Sequence, residues 1–512
     1  MTTLSSIVIA VPLGASIGLA LGIAAFRRPG LERLLTPVLD LMQTVPVFAY
    51  LVPVLFLFGF GPVAAMIATM IYATPPMVRV TILALRQIPS ELIEYGQMAG
   101  CSPRQLLRAI QLPVARRSLM VGVNQVIMLS LNMVIIASMI GAGGLGFDVL
   151  NSLRRLAIGD GLEAGLAITL LAIALDRLGQ AYTKRSGQAA KASSSQSWTG
   201  KQVALLCAGV LLGSWVAGHF FPILAIFPES LTITTSEFWD SAVKWINVHF
   251  FDELEAIKTF MLLNLLIPVK RFLLGTPWIV VLMLLAAVGY RLGGLRLGLT
   301  AAALTLFIAA NGLWEKAMIT VYLCGVSVVL AATIGIPVGL LAAARQRANR
   351  VIQVIIDTLQ TLPSFVYLIP VVMLFRVGDF AAMIAVIAYS VVPSIRYTAM
   401  GIKQVPAHLI EAARAMGCTR SQIRWRIEIP NAMPSIMLGI NQTIMMALSM
   451  LVITALVGTR DLGQEVYIAL TKADTGRGIV AGVGVACIAI IADRLINHWV
   501  QQRQKMLGLS PA

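Results

Sequence analysis

The sequence predicts an all-α polytopic membrane protein of about thirteen transmembrane helices, with two parallel five-helix repeats joined by a three-span middle section. Three observations carry this expectation. The 512 residues are 58% hydrophobic and only 12% charged, a balance that no soluble domain of this size shows. Apolar runs of ~18 residues or more recur along the chain, each long enough to cross a ~30 Å hydrocarbon core as a helix. The chain is also internally duplicated. DLMQTVPVFAYLVP, from Asp40 to Pro53, and DTLQTLPSFVYLIP, from Asp357 to Pro370, agree at eight of 14 positions and lie 317 residues apart. The same offset aligns Pro76 with Pro393, Arg79 with Arg396, Gly100 with Gly417, Asn124-Gln125 with Asn441-Gln442 and Asp176-Arg177 with Asp493-Arg494, without a gap.

The duplication divides the chain into a first repeat (1–182), a linker (183–201), a middle section (202–316) and a second repeat (317–512). Candidate spans of the first repeat lie near 4–26, 36–58, 62–85, 117–140 and 162–178, and those of the second near 317–344, 351–375, 379–401, 433–457 and 478–497. The first run is too long for the apolar part of a signal peptide and lacks a basic flank before it, so it is expected to be a retained span. Basic residues follow the first span of each repeat: Arg27, Arg28 and Arg33, then Arg345, Arg347 and Arg350. By the positive-inside rule those ends are cytoplasmic. Counting on, the N-terminus is periplasmic, the C-terminus is cytoplasmic and the two repeats run parallel. The net charge of +16 is thus spread through loops between spans, and it implies no nucleic-acid partner.

An odd number of spans must then separate the repeats. TKRSGQAAKASSSQSWTGK (183–201) reads as a cytoplasmic linker, followed by a span at about 202–227. Residues 236–260 mix Trp239, Trp245, Phe250, Phe251 and Phe260 with acids and lysines, as an amphipathic helix on the outer membrane surface would. Two further spans, near 277–291 and 295–312, turn at Arg291-Leu-Gly-Gly-Leu-Arg296. The spans at 36–58 and 351–375 each hold two prolines, Pro46 and Pro53, then Pro363 and Pro370. Proline removes a backbone donor, so these helices are expected to be broken or kinked; simple tolerance of proline in a membrane helix is the other reading.

Two polar inserts, EYGQMAGCSPRQLLRAIQLP (94–113) and EAARAMGCTRSQIRWRIEIP (411–430), fall on the cytoplasmic side. Pro89 and Pro406 suit the first turn of a short helix, and Gly100 and Gly417 suit a left-handed stop. Ser102-x-x-Gln105 and Thr419-x-x-Gln422 are capping boxes that start a second helix, ended by Pro113 and Pro430. Such a rigid helix-turn-helix is either a solvated elbow or a docking knob for a cytoplasmic partner. Its retention in both copies favours the knob, with two equivalent partners.

The segment from Glu411 through Ala412, Ala413 and Gly417 to Ile427 and Pro430 resembles the EAA motif of ABC-importer permeases. The first copy keeps Glu94, Gly100, Ile110, Leu112 and Pro113 but has Tyr95-Gly96 in place of Ala-Ala. The resemblance implies that these residues form coupling helices that insert into an ATPase. MQTVPVFAYLVPVLFLFGFG, GVNQVIMLSLNMVIIASMIGAGGLG, DTLQTLPSFVYLIPVVMLF and GINQTIMMALSM are similar to permeases of proline/glycine betaine importers, which usually dimerise from single units. The implied protein is the bacterial inner-membrane permease of an ATP-driven importer of glycine betaine, proline betaine or choline-like osmolytes. Two cytoplasmic ATPase subunits holding Mg-ATP and a periplasmic binding protein complete it, and the permease itself holds no cofactor. A permease for an amino acid or trimethylamine N-oxide, or a passive channel, remains the alternative.

Nothing in the chain reads as an enzyme. It has no GxxxxGK[ST] nucleotide loop, its four histidines stand outside any HExxH, and its five cysteines are scattered singly, which leaves no metal or catalytic set. GAGGLG at 141–146 falls outside by parity and becomes GTRDLG in the second copy, so it reads as outer mouth rather than nucleotide site. Polar residues repeated inside spans are the pathway candidates. Asn124 with Asn441, and Asn132 with Ser449, lie eight residues apart on one helix face. Phe48, Tyr50, Phe365 and Tyr367 sit between the helix-breaking prolines, where aromatic faces attract quaternary ammonium groups or serve as packing. Asp40 and Asp357 are expected to pair with Arg33 and Arg350.

Overall fold

A computed structural model describes residues 2–44, 47–138, 141, 143–155, 157–188, 209 and 234–508. The first repeat comprises α1 (Thr2–Arg27), α2 (Pro29–Thr44), α3 (Val47–Phe58), α4 (Pro62–Arg86), α5 (Ser90–Met98), α6 (Pro103–Gln105), α7 (Leu112–Ser138), α8 (Leu145–Arg155) and α9 (Ile158–Gln188). The middle section contributes α10 (Ser236–His249), α11 (Phe251–Met261), α12 (Ile267–Gly275) and α13 (Trp278–Ala310). The second repeat has α14 (Trp314–Ala344), α15 (Gln346–Thr361), α16 (Leu368–Phe375), α17 (Asp379–Lys403), α18 (Ala407–Ala415), α19 (Arg420–Ile423), α20 (Ile429–Thr454), α21 (Leu462–Lys472) and α22 (Thr475–Met506). No strand occurs among the described residues. The span expected at 202–227 lies outside them, as does most of the linker, although α9 carries helix through Gln188.

Among the described residues seven helical stretches are long and apolar enough to cross a membrane: Val8–Arg27, α4, α13, α14, α17, Arg420–Val457 and α22. A bent pair, Gln346–Gln360 with Ser364–Phe375, would make an eighth and turns through 106°. This is the helix break expected from Pro363. Leu362 before it is extended (φ −67, ψ 126), the conformation a following proline enforces. In the first repeat α2 stops at Thr44 and α3 starts at Val47, while Pro46 falls outside the described residues. Helix α13 is also broken. Gly294 adopts φ 74 and ψ −168, and a Cβ on Gly289 would lie 3.0 Å from the Cα of Gly298. Residues nine apart in a straight helix are separated by ~13 Å, so the chain reverses here, at the turn expected between Arg291 and Arg296.

The repeats assemble through small residues. A Cβ on Gly18 or Gly22 of α1 would come within 2.6 Å of Met77 or Thr81 on α4. Gly335 and Gly339 of α14 meet Ser394 and Thr398 of α17 in the same register, 317 residues on. Close backbone approach at small residues is how membrane helices associate where lipid and side chain are equally apolar. Arg79 binds Asp40, and Arg396 binds Asp357 at 2.7 Å. These partners correct the expected Arg33 and Arg350. Arg33 is two turns back along the same helix as Asp40, ~10 Å away, whereas α4 packs alongside α2.

The two repeats share one apolar core running from Leu51, Met133 and Ile168 to Phe365, Leu368 and Val466. Their contact is reciprocal: α3 packs on α22, and its counterpart α16 packs on α9. The middle section straddles both. The Asp240 carboxylate accepts from the Gly159 amide at 2.9 Å, Ser236 donates to Asp160 at 2.7 Å, Asn247 donates to the Met373 carbonyl at 3.2 Å, and Lys270 pairs with Asp379 at 2.8 Å.

Candidate functional site: two hairpins and a cavity between the repeats

The two polar hairpins have one backbone design. Helices α5 and α18 each follow a proline, Pro89 or Pro406, which stands just before the first helical residue rather than within the first turn. Gly100 and Gly417 are left-handed, at φ 75 and 78. Around them the closing hydrogen bonds match: Gly100 to Gln97 and Cys101 to Gly96 in one copy, Gly417 to Arg414 and Cys418 to Ala413 in the other, all at 3.0 Å. Both capping boxes form. The Ser102 and Thr419 amides donate to Gln105 and Gln422 at 2.8 Å, and their hydroxyls accept the glutamine amides at 3.4 and 3.3 Å.

Pro113 and Pro430 do not end the second helix, which corrects the sequence reading. Wide π turns, Leu106–Gln111 and Arg424–Glu428, lead without interruption into α7 and α20, whose second residues are these prolines. Proline is tolerated at a helix start, where its missing donor costs nothing. Each hairpin is therefore joined rigidly to a membrane helix. The Tyr95-Gly96 departure is also accommodated. Ala413 is fully buried, and a Cβ on Gly96 would lie 2.4 Å from Ile110 Cδ1 and 2.6 Å from Leu106 Cδ1, so glycine fits the closer approach of these side chains in the first copy. Glu94, Glu411 and Ala412 are exposed, while Ile110, Leu112, Ile427 and Pro430 are half-buried. The exposed crests carry large apolar side chains absent from the sequence expectation: Tyr95 (72%), Met98 (89%), Met416 (75%) and Trp425 (66%). Apolar residues inside an otherwise polar insert were the available signal.

A cavity of about 760 Å³ lies between the repeats, lined by Asp40, Gln43 and Arg79 from the first and Asn441, Gln442, Asp493 and Asn497 from the second. A neighbouring one of about 750 Å³ shares Gln43, Arg79 and Gln442 and adds Asn124, Gln125 and Gln360. Gln43 and Gln360 are counterparts at the 317 offset, as are Gln125 and Gln442. Two glutamine pairs thus gather where the repeats meet, and none was singled out from the sequence as a pathway residue; their duplication was the signal. Asn441 donates to Asp493 at 2.7 Å, Asn497 donates to the same oxygen at 2.9 Å, and the buried Asn441 Oδ1 has no partner among the described residues.

The other pathway candidates lie elsewhere. Asn132 is half-buried on α7 and lines neither cavity, and Ser449 is exposed and donates to the Met445 carbonyl at 2.9 Å. Phe365 and Tyr367 are buried in the shared core, with Tyr367 edge-on to Tyr389 at 5.8 Å, and neither lines the two cavities. The side chains of Phe48 and Tyr50 lie outside the described residues.

The outer ends of the repeats differ. In GTRDLG, Asp461 caps α21 by accepting from the Gln464 amide at 3.1 Å, and Thr459 donates to it at 3.2 Å. Glu465 nearby binds both Lys316 and Arg477. The first repeat has Gly144 and Asp148 at the positions of Asp461 and Glu465. Burial raises the Asp461 carboxyl from 3.8 to about 6, against the opposing hydrogen bonds from Gln464, Thr459 and Gly463. A folded-state value above the unfolded one means that the protonated acid favours the fold, and this contribution is lost as pH rises from about 4 to about 6. Thermal unfolding in detergent should therefore show wild-type stability declining across that window, with a flatter profile for Asp461→Asn; equal profiles would clear Asp461 as the cause.

Two matching polar hairpins, each continuous with a long apolar helix, and polar cavities between two repeats of one helical unit are the features of a membrane transport permease. The chain belongs to the family described as the binding-protein-dependent transport system inner membrane component, which it matches twice, over residues 11–187 and 335–505. It is a multi-pass inner-membrane protein of that family. It is 41% identical to the trimethylamine N-oxide transport system permease protein TmoV of Pelagibacter ubique, over 99% of this chain and 72% of the relative. It is 35% identical to TmoV of Ruegeria pomeroyi over 100% of this chain and 78% of the relative. The glycine betaine/proline betaine transport system permease protein ProW of Escherichia coli is 36% identical over 54% of this chain and 77% of its own length.

Proposed function

We propose that this chain supplies both halves of a two-fold permease of an ATP-driven importer for small methylated-amine osmolytes, with trimethylamine N-oxide as first substrate and glycine betaine as second. The observation that carries the reading is the pair of matching hairpins on one chain, one per repeat, together with polar cavities lined by residues of both repeats. Each hairpin is a docking site for one cytoplasmic ATPase, through the exposed crests at Met98 and Met416. ATP closure moves α7 and α20 through the unbroken π turns and opens the cavity alternately to either side. A periplasmic binding protein delivers the solute at the outer ends, where GAGGLG and GTRDLG meet unlike surfaces. Substrate order follows the two trimethylamine N-oxide permeases that align with essentially the whole chain, tandem arrangement included. A cavity walled largely by amides and paired charges also suits a dipolar, net-neutral solute, which needs hydrogen-bonding groups but no net countercharge.

The test is reconstitution of the chain in vesicles with its ATPase and binding protein. Expected are one permease chain per two ATPases and uptake of labelled trimethylamine N-oxide that requires ATP and the binding protein, with glycine betaine competing. Two permease chains per two ATPases would reject the single-chain permease. Uptake without ATP would make the protein a passive channel.

A further inference from the structure

Among the described residues only 6% of the apolar stretch of helix α13 is buried. Its second limb leaves a groove of about 490 Å³ against α22. The wall is apolar along most of its length, with Leu304 on one side and Ile491 on the other, and it passes Thr300 before it reaches Arg296, Arg494 and His498. Those three cationic or ionisable groups are collected at one end. It is the end from which α22 runs on to Arg503 and Lys505, the basic flank that marks a cytoplasmic boundary.

Neither Arg296 nor Arg494 forms a salt bridge among the described residues. Asp493, beside Arg494, is engaged by Asn441 and Asn497. Two exposed arginines at the boundary of an apolar groove present positive charge to an external anion. The groove is also held in shape. Gln502 on α22 donates to the Leu292 carbonyl in the α13 turn at 2.8 Å, and a Cβ on Gly293 would lie 2.7 Å from the His498 ring. The turn is thereby pinned to α22, and the groove needs no rearrangement to open.

We propose that this groove binds an anionic phospholipid, with the acyl chain along Leu304 and Ile491 and the phosphate between Arg296 and Arg494. Basic pockets between membrane helices on the cytoplasmic side recognise such headgroups by charge, and the apolar stem supplies the rest of the affinity. Arg494 and His498 also line the inter-repeat cavity on their other side. The binding claim stands independently of which solute is carried.

Native mass spectrometry of the purified chain tests it, with titration of phosphatidylglycerol against phosphatidylcholine. One phosphatidylglycerol should bind in preference, and Arg296→Gln with Arg494→Gln should reduce that preference about tenfold or more. Thr300→Phe, which fills the groove and keeps both charges, should reduce it too. Arg347→Gln with Arg350→Gln, a distant basic pair, should leave it unchanged. Equal loss in that control would reduce the effect to bulk charge and overturn the site, as would full retention in the Arg296/Arg494 variant. Displacement of the lipid by inorganic phosphate would overturn it in favour of a free anion, and a second copy of the chain on α13 would overturn it in favour of a protein contact.

Discussion

Gly417→Val is expected to abolish ATP-driven uptake while the membrane-embedded fold survives. Gly417 stands at φ 78, and nothing lies within 4 Å of where its Cβ would be. The effect is therefore pure backbone strain rather than collision. A β-branched side chain in the left-handed region costs of order 1–3 kcal/mol, more than the short cap beside it returns. The strain is relieved locally, by unwinding the turn that closes on Arg414 and Ala413. That displaces Met416 from the crest while leaving the packing of α17 on α20 untouched. Gly417→Asn should retain most activity, because asparagine tolerates this conformation. Gly100→Val, at φ 75 with equally open surroundings, should act likewise. Co-purification of the ATPase and uptake per folded molecule are the measurements. Wild-type uptake by Gly417→Val would remove the hairpin from the mechanism.

Gly339→Leu should have the opposite signature, with little folded protein made and no selective defect in coupling. A Cβ at this position would lie 2.7 Å from the Ile395 carbonyl oxygen and 2.7 Å from Thr398 Cβ. Backbone at a helix crossing has no rotamer by which to yield, so α14 and α17 must move apart. Overpacking typically costs 1–3 kcal/mol, and loss of the contacts along this interface adds to that. Gly22→Leu, its counterpart, meets the Thr81 side chain at 2.6 Å and the Val78 carbonyl at 3.0 Å. With a side chain as the nearest obstacle it should be the milder of the two. Size-exclusion yield and thermal midpoint in detergent decide the order, and a monodisperse, fully stable Gly339→Leu protein would defeat the packing account.

The features legible in the sequence were those encoded by neighbours. Ser102 with Gln105, Thr419 with Gln422, and the glycine two residues before each box specify their hairpin within a few residues. The proline break before Ser364 and the Gly293-Gly294 reversal are equally local. What escaped depended on distant partners. Asp40 was matched with Arg33 because the two are close in sequence, yet the third dimension supplied Arg79 from another helix. Pro430 looked like a terminator because a π turn, which lets a helix pass into a proline-bearing start, has no simple composition. The cavities were half legible: Asn441 lines one and Asn124 the other, but Gln43 and Gln360 reach them only because each repeat's broken helix packs against the last helix of the other. Phe365 and Tyr367 were singled out by their chemistry, and their burial in the shared core depends on distant partners.

The unlike outer ends have a bearing on how such a protein can change over time. In an assembly of two identical subunits every substitution is made twice, so a residue useful on one side and harmful on the other cannot be kept. Asp461 with Glu465 on one half, and Gly144 with Asp148 on the other, are differences that a single gene can accumulate only once both halves lie on the same polypeptide. Fusion therefore gave each half its own mutational history. The loops at Gly144 and Asp461 were free to diverge, while the two hairpins, at Gly100 and Gly417, kept one backbone design.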